Sequence, residues 1–393
     1  MTRPEELKPG WRTVKFGDVV RDVKNTTKDP EADGLERVVG LDHLDPESLP
    51  LRRWDELADL HEGTSFTRTF KAGQVLFGKR RSYQRKVAVP DFDGICSGDI
   101  LVFEPSSEQL LPEFLPYLVQ SDGFFDHALG TSAGSLSPRT KWQELAKYEF
   151  ALPPLDEQKN IVKTLSVATT LGEAHRSVHT ATDLLVKRFI VERFDSWASA
   201  FEAVPVPALG ELRLGRQKAP KYELGVCPTP YVRVANIGNL AFDSREFETM
   251  DFSEVDQDRY GLKAGDVLIT EGDIVSAFNV GRPAVFPGSA TPVCFQNTLI
   301  RLRPNAGLDP TFLMGLLEGA RLNGVFAAAA STTTVSHLGL KRLTAIALPL
   351  PNGIEQKKFA EALRSLLELR ATAARATAGF QSVRICLGRE LLG

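Results

Sequence analysis

The stretch Phe70–Leu76, with the sequence FKAGQVL, returns as Leu262–Leu268, with the sequence LKAGDVL. Other pairs return in the same order, at offsets of 192 to 199 residues: Ile95-Cys96 as Val293-Cys294, Glu104-Pro105 as Arg303-Pro304, Phe114-Leu115 as Phe312-Leu313, and Leu152-Pro153 as Leu348-Pro349. The offset is close to half of the 393 residues. Self-similarity at one period indicates a tandem duplication of a structural module. Two similar modules in one chain suggest a protein that reads two related targets at a fixed spacing.

The composition is that of an ordinary globular protein, with 42% hydrophobic and 25% charged residues. No window approaches the roughly 20 apolar residues that span a bilayer, and the first residues lack the apolar core of a signal peptide. The four cysteines include no Cys-x-x-Cys pair, which favours reduced thiols and a cytoplasmic location. A net charge of -3 excludes a uniform basic coat but leaves room for a local basic site.

Short apolar runs between glycine-rich turns predict a mixed α+β globule at residues 1–153 and a second one at residues 204–352. After the first globule the chain has no proline from Gln158 to about Trp197, and after the second it has none from Ile354 onward. These stretches predict long helical spacers at residues 154–203 and 353–393.

The second spacer has apolar residues at alternating steps of four and three, interrupted by Arg370, Thr377 and Arg384. Such a heptad seam is typical of paired helices. We expect the two spacers to pair with each other, antiparallel, as a coiled coil, which gives the chain pseudo-two-fold symmetry. Packing of each helix on its own globule is the alternative.

The segment from Lys71 to Pro90 is the most basic part of the chain, with six basic residues and no acidic one. Arginine suits the acceptor edge of guanine and glutamine suits adenine, and both can hold phosphate oxygens. The segment therefore predicts a DNA-binding loop, although a solvated charged hairpin would look the same. Its candidate DNA-binding residues are Lys79, Arg80, Arg81, Tyr83, Gln84, Arg85 and Lys86.

Small hydroxyl residues precede two cations at residues 131–141, and the repeat partner of this segment lies at residues 331–337. Hydroxyl groups can donate to phosphate oxygens, but the same pattern is typical of a turn that caps the following helix. The counterpart of the basic loop, at residues 270–282, is far less basic, so we expect the modules to read different targets. The further DNA-binding candidates are Ser135, Ser137, Arg139, Lys141, Arg233, Asn236, Asn279, Arg282, Thr332, Thr333, Thr334 and His337.

Signals of an enzyme are poor. The chain has no Gly-x-Gly-x-x-Gly motif opening a helix, no phosphate-binding Walker loop and no Asn-Pro-Pro-aromatic tetrapeptide. The repeated Glu-Gln-Lys at residues 157–159 and 355–357 lacks the metal-binding aspartate of a nuclease site. His175 and His179 are four residues apart without an acidic or cysteine partner nearby, so we expect them to face solvent. We therefore predict neither a catalytic residue nor a metal site.

The residues quoted above also carry a family resemblance. Leu152–Lys159, which opens a long helix and is repeated half a chain later, resembles the specificity (S) subunit of type I restriction–modification systems. The stretches Gly73–Lys86 and Ser132–Arg139 are similar to members of the same family, and the resemblance covers essentially the whole chain. One departure is Leu348–Lys357, which is longer and lacks adjacent prolines, so the start of the second helix stays open.

The resemblance implies that each globule is a target-recognition domain that binds one half of a bipartite double-stranded DNA sequence. It implies that the helices set the spacing and dock two methyltransferase (M) subunits, with restriction (R) subunits joining the full complex. The M-contacting candidates lie where the two spacers begin: Glu157, Gln158, Ile161, Glu355, Gln356 and Phe359.

The resemblance also implies that this chain has no catalytic centre and no cofactor of its own. S-adenosylmethionine would belong to the M subunit, and ATP and magnesium to the R subunit. Two alternatives stay open: a specificity subunit of a methylation-only or other defence complex, and a two-headed protein-binding scaffold.

Overall fold

In the computed structural model of the chain, the described residues are 7–60, 63–134, 137–222, 225–273, 280–332 and 336–392. The chain divides into two compact units. The first unit comprises Met1–His175 and Ala376–Gly393, and the second comprises Arg176–Arg375. Each unit therefore contains one of the two repeated modules and a part of each long helix.

The first module consists of short strands with a few short helices. Its strands are β1 (Arg12–Lys15), β2 (Val20–Asp22), β3 (Arg37–Val39), β4 (Asp55–Glu56), β5 (Arg68–Phe70), β6 (Val75–Gly78), β7 (Val87–Ala88), β8 (Gly94–Cys96), β9 (Ile100–Pro105) and β10 (Glu149–Leu152). Its helices are α1 (Phe16–Val19), α2 (Leu115–Gln120), α3 (Asp122–Gly130) and α4 (Trp142–Leu145), and the long helix α5 (Leu155–Ala200) follows.

The second module has the same texture. Its strands are β11 (Ala203–Pro205), β12 (Gly210–Leu214), β13 (Pro228–Val232), β14 (Glu248–Asp251), β15 (Val267–Thr270), β16 (Gly272–Asp273), β17 (Pro283–Val285), β18 (Cys294–Phe295), β19 (Leu299–Pro304), β20 (Ser331–Thr332), β21 (Ser336–His337) and β22 (Ala347–Pro349). Its helices are α6 (Glu254–Tyr260), α7 (Pro310–Leu322), α8 (Val325–Ala329) and α9 (Leu340–Thr344), and the long helix α10 (Gly353–Leu392) follows.

The sheets repeat from one module to the next. The antiparallel sheet β2-β9-β6-β7 of the first unit has the strand order of β12-β19-β15-β17 in the second. A second sheet contains the parallel pair β3–β8 in one unit and β13–β18 in the other. The prediction of an α+β fold built from two tandem modules with a long helix is confirmed.

The repeated Lys-Ala-Gly motif makes the same turn in both units. Gly73 and Gly265 have φ angles of 82° and 90°, a region that residues with a Cβ rarely adopt. The side chain of the next residue then closes the turn: the main-chain N–H of Lys71 donates to Gln74 Oε1 at 2.8 Å, and that of Lys263 donates to Asp266 Oδ2 at 2.7 Å. This turn delivers β6 and β15 into the centre of their sheets.

Within each unit, the two long helices run antiparallel. In the second unit Asp183 of α5 lies 3.5 Å from Arg370 of α10, whereas Phe189, further along α5, stacks on Phe359 at 5.2 Å. Residue numbers therefore rise along one helix as they fall along the other. In the first unit His175 stacks on Phe380 with ring centroids 4.4 Å apart.

The expectation that His175 faces solvent is wrong, because the partner helix brings the Phe380 ring against it. On α10 the heptad seam agrees with its predicted spacing, because the seam residues Phe359, Leu363 and Ala373 are buried. Within the described ranges, no helix is both long and apolar enough to cross a membrane.

Candidate nucleic-acid interface

Two segments that the sequence marked separately lie side by side in the first unit. The main-chain N–H of Arg81 donates to the carbonyl of Pro138 at 2.8 Å, and that of Thr140 donates to the carbonyl of Lys79 at 2.9 Å. Arg80 Nε also donates to the Ser137 hydroxyl at 2.6 Å. The basic loop and the Ser-Pro-Arg segment therefore form one strip, which no local sequence pattern indicated. Ser135 lies outside the described residues.

A short helical turn and a buried hydroxyl contact fix the backbone conformation of the basic loop. Arg81 and Arg85 flank a single 3-10 turn, and their φ angles of 55° and 50° fall in the left-handed region, which disfavours side chains with a Cβ. The buried Ser82 hydroxyl lies 3.0 Å from the Thr140 hydroxyl, which compensates part of that cost. On the outer side, Arg81 is exposed and Tyr83 retains 56% of its accessible surface.

Asp99 orients two of the cations. Arg139 donates to both carboxylate oxygens, from Nε at 2.8 Å and from Nη2 at 3.1 Å, and Arg80 Nη1 lies 3.8 Å from the same group. The hydrogen bond from Arg139 holds the pKa of Asp99 below its usual value. An arginine has five N–H donors in a planar fork, so both side chains keep donors for a ligand. Their side chains are 40% and 50% exposed.

Beside this strip lies a cationic cleft of about 490 Å³. Its lining includes Lys24, Lys79, Arg139 and Lys141. Sequence reasoning missed Lys24, which is 55 positions from Lys79 and carries no local signal. It reaches the cleft because it follows β2, which pairs with β9.

A fifth cation in the cleft, Arg68, is held by its own unit. Its guanidinium forms an ion pair with Asp22 and donates to the carbonyls of Val23 and Ile100. Lys24, Lys79 and Lys141 therefore remain to meet an anionic ligand in this cleft, together with the donors that Arg139 keeps beyond its pair with Asp99.

Two other predicted residues point into the unit. Arg85 lies 2.8 Å from Asp122 and 3.5 Å from Glu47, and Lys86 Nζ donates to the carbonyl of Leu41 at 2.7 Å. These interactions fix the far end of the basic loop. The DNA contacts predicted for Arg85, Lys86 and the partly buried Gln84 stay predictions.

In the second unit, the structure describes some of the predicted DNA-binding residues and leaves the others outside the described ranges. His337 is exposed on β21, and the main-chain N–H of Arg282 donates to Thr270 Oγ1 at 2.9 Å. Arg233 Nε lies 3.2 Å from Glu248. Thr332 contributes its backbone to the β20–β21 pair, whereas Asn279, Thr333 and Thr334 lie outside the described residues.

Asn236 has a structural role that the repeat makes visible. It is buried, accepts from the main-chain N–H of Arg233 at 3.0 Å and donates to the carbonyls of two loop residues. In the first unit His43 accepts from the main-chain N–H of Gly40 in the same way, also at 3.0 Å. Both side chains close the short 3-10 turn after the strand, so the predicted DNA contact of Asn236 stays a prediction.

The predicted partner-binding residues lie where the long helices begin, and several are buried in their own unit. Gln158, Ile161 and Phe359 are 0%, 4% and 3% exposed. Glu157 accepts from Trp11 Nε1 at 2.7 Å, and Gln356 Nε2 donates to the carbonyl of Pro351 at 2.7 Å.

Glu355, the remaining partner-binding candidate, is only partly buried and lies 3.7 Å from Lys358. The structure thus gives most of these residues an internal contact, and their partner contacts stay predictions.

No metal site stands out in the part of the chain that the structure describes. Within it, no three His, Cys, Asp or Glu side chains group as metal ligands would. Burial raises the pKa of the Cys96 thiol and of its repeat partner Cys294 to about 12. Both behave as packing residues because the thiolate is the nucleophile.

Comparison with known proteins agrees with the repeat. The family described as type I restriction modification DNA specificity domain matches residues 9–175 and 213–375. The specificity subunit of the type I restriction enzyme EcoDI from Escherichia coli is 29% identical over 159 residues. That similarity covers 39% of this chain, and the chain spans about one third (33%) of the length of this curated relative.

Solved structures show the same fold over nearly the whole chain. A chain from a study of complex assembly and conformational transition of the type I R-M system has a TM-score of 0.60 at 21% identity, and covers 99% of this chain and 98% of its own. The S subunit of a type I restriction–modification system from M. genitalium has a TM-score of 0.58 at 13% identity, and covers 100% and 98%. Because the family match extends over well more than half of the sequence and both modules, the chain belongs to the type I restriction–modification DNA specificity family.

Proposed function

We propose that this chain is the DNA-specificity subunit of a type I restriction–modification system, in which each unit reads one half of a bipartite double-stranded DNA target. The observation that carries the proposal is the joining of the basic loop to the segment at residues 137–141, beside a cleft lined by Lys24, Lys79, Arg139 and Lys141. Family membership and the fold shared with solved S subunits support it.

The chemistry of the strip suits a DNA backbone flanked by base edges. Arg80 and Arg139 are oriented by Asp99, so little side-chain freedom disappears when they bind phosphate. Arg81 and Tyr83 extend outward from the same loop, where they can approach the bases. A local cationic surface attracts DNA even though the net charge is -3.

We also propose that the long helices set the distance between the half-sites and dock two methyltransferase subunits. The support is a row of exposed apolar side chains on one face of α5: Val167, Leu171, Val178 and Leu185 retain 62%, 41%, 51% and 49% of their accessible surface. Apolar side chains grouped on an exposed helix are typical of interaction sites. In this proposal the chain itself is non-catalytic, the partner binds S-adenosylmethionine, and restriction subunits with ATP and magnesium join the larger complex.

Methylome sequencing tests the proposal in cells with the chain, without it, and with it restored on a plasmid. The expected result is one bipartite methylated motif that disappears on deletion and returns on restoration. Methylation that is identical in all three strains would overturn the proposal. The deletion strain still carries the methyltransferase gene, so it also reports any methylation that is independent of this chain.

A further inference from the structure

The strip described in the first unit has a counterpart built from the same backbone hydrogen bonds in the second. The main-chain N–H of Lys79 donates to the carbonyl of Asp99 at 3.0 Å, and that of Glu271 donates to the carbonyl of Thr298 at 2.9 Å. The carbonyl of Lys79 accepts from Thr140 at 2.9 Å, and that of Glu271 accepts from Leu338 at 2.8 Å. Glu271 therefore occupies the position of Lys79.

The neighbouring strand agrees with this assignment. Arg139 pairs with Arg80 on one side and Ala133 on the other. In the second unit His337 pairs with Gly272 and Ser331. His337 thus occupies the position of Arg139, and the two backbones present the same site with different side chains.

The charge at one position of this site has the opposite sign in the two units. In the first unit the position is held by a cation, Lys79, whose main-chain N–H donates to the carbonyl of the acid Asp99. In the second unit it is held by an acid, Glu271, whose main-chain N–H donates to the carbonyl of Thr298. The buried hydroxyl of Thr298 has no hydrogen-bond partner among the described residues. Since a carboxylate repels phosphate, Glu271 cannot take over the backbone contact that suits a lysine.

The surroundings of Glu271 leave its carboxylate available to accept a hydrogen bond from a ligand. The residue is partly buried, and within the described ranges no donor forms a hydrogen bond to its side chain. Burial raises the pKa of Glu271, and the nearby His337 opposes that rise. A partly dehydrated carboxylate is destabilised more when no donor faces it than a fully hydrated one is. It therefore distinguishes more strongly between a base that offers a donor and a base that does not.

We infer that Glu271 is a specificity-determining residue of the second unit and accepts a hydrogen bond from an exocyclic amino group in the major groove, cytosine N4 or adenine N6. These are the amino donors that base pairs present in that groove, and a carboxylate is a usual acceptor for the former. The two units then read different half-sites because one site position has opposite charge in each. This inference rests on the proposed function.

A protein–DNA double-mutant cycle with the assembled S–M complex tests the inference, once methylation mapping has given the target. In each duplex, a single amino group of the second half-site is deleted by replacing adenine with purine or cytosine with pyrimidin-2-one. Dissociation constants are then measured for the wild type, Glu271→Gln and Glu271→Ala. Glu271→Gln preserves the side-chain volume, and Lys79→Gln is the matched control in the first unit.

At one base pair, amino deletion should weaken wild-type binding by about tenfold or more and leave Glu271→Ala unaffected. The base at that position identifies the donor as cytosine N4 or adenine N6. Lys79→Gln should preserve this coupling and lower the affinity for all duplexes alike.

The inference would be overturned if amino deletion lowered the affinity of the wild type and of Glu271→Ala equally at every position of the second half-site. The proposed function would then remain intact. Loss of binding to all duplexes in both Glu271 variants would also contradict the inference, because a contact to one base pair spares the first half-site. A wild-type complex that prefers no bipartite sequence would remove the proposed function itself.

Discussion

Arg384 of α10 donates a hydrogen bond to the main-chain carbonyl of Glu47, a residue with a positive φ of 54°. The second unit repeats this interaction, because Arg370 donates to the carbonyl of Asn239 at 2.7 Å, next to Leu240 with a φ of 52°. The two arginines that interrupt the heptad seam therefore anchor the helix to a strained loop in each unit.

Arg384→Ala should loosen the loop around Glu47, and Arg370→Ala the loop around Asn239. Each variant leaves a strained turn without its charged donor, at a cost of roughly 1–3 kcal/mol. Hydrogen exchange should show faster exchange confined to the corresponding loop. Arg375→Ala, an exposed position on the same helix, is the control. Unchanged protection in both loops would show that the arginines do not anchor them.

Arg80→Ala with Arg139→Ala should weaken DNA binding by the assembled complex about equally for all sequences, because both cations are placed to bind phosphate. Removing one phosphate-binding cation reduces the slope of log K against log salt by about 0.9, so the slope should become less steep by roughly two. Titrations at several salt concentrations measure this. Arg188→Ala removes an exposed cation of the long helix and should leave the slope unchanged. A double variant with the wild-type slope would place DNA elsewhere.

Gln158→Ala should destabilise the protein more than Gln356→Ala, although the residues are repeat partners. The buried Gln158 side chain accepts from the N–H of Leu111 and donates to the carbonyls of Gln109 and Pro153. Gln356 donates to the carbonyl of Pro351 alone among the described residues. Leaving buried polar groups unsatisfied costs about 1–3 kcal/mol. Denaturant melts should rank the two variants in this order, and equal midpoints would contradict the assignment.

Asp99 should contribute stability that disappears in acid. Its pKa is lowered from 3.8 in the folded state, chiefly by the hydrogen bond from Arg139. The contribution is therefore fully present above the unfolded-state value and is lost as the pH falls through the depressed one. The difference in unfolding free energy between the wild type and Asp99→Asn should be greatest near neutral pH and shrink below about pH 4. A difference independent of pH would count against this pair.

The cysteines should differ sharply in reactivity. Cys386 is exposed, whereas Cys96 and Cys294 are fully buried and their pKa values are raised to about 12. Iodoacetamide at neutral pH should modify Cys386 in the native protein and the buried pair only after unfolding. Peptide mass spectrometry follows each site. Native labelling of Cys96 at the rate of Cys386 would contradict the packing of the first module.

Local patterns were sufficient to predict the architecture. The Lys-Ala-Gly turn depends on a positive φ at Gly73 and on a side chain one residue later, so its repetition marks the same strand in both modules. The lengths of the two helices follow from the absence of proline, since each residue adds one helical hydrogen bond. The family resemblance rests on these same local features.

The composition of the candidate site was decided by tertiary structure. Arg80 meets Ser137 across 57 positions, and Lys24 joins them through strand pairing. Six basic residues lie close together in the sequence, yet Arg85 and Lys86 point inward while Arg81 points to solvent. A run of charges does not specify which side chains find acidic or carbonyl partners, because those partners come from distant strands. The 192-residue offset of the opening repeat already aligns Lys79 with Glu271. The tertiary structure adds that both residues make the same backbone hydrogen bonds and so occupy the same site.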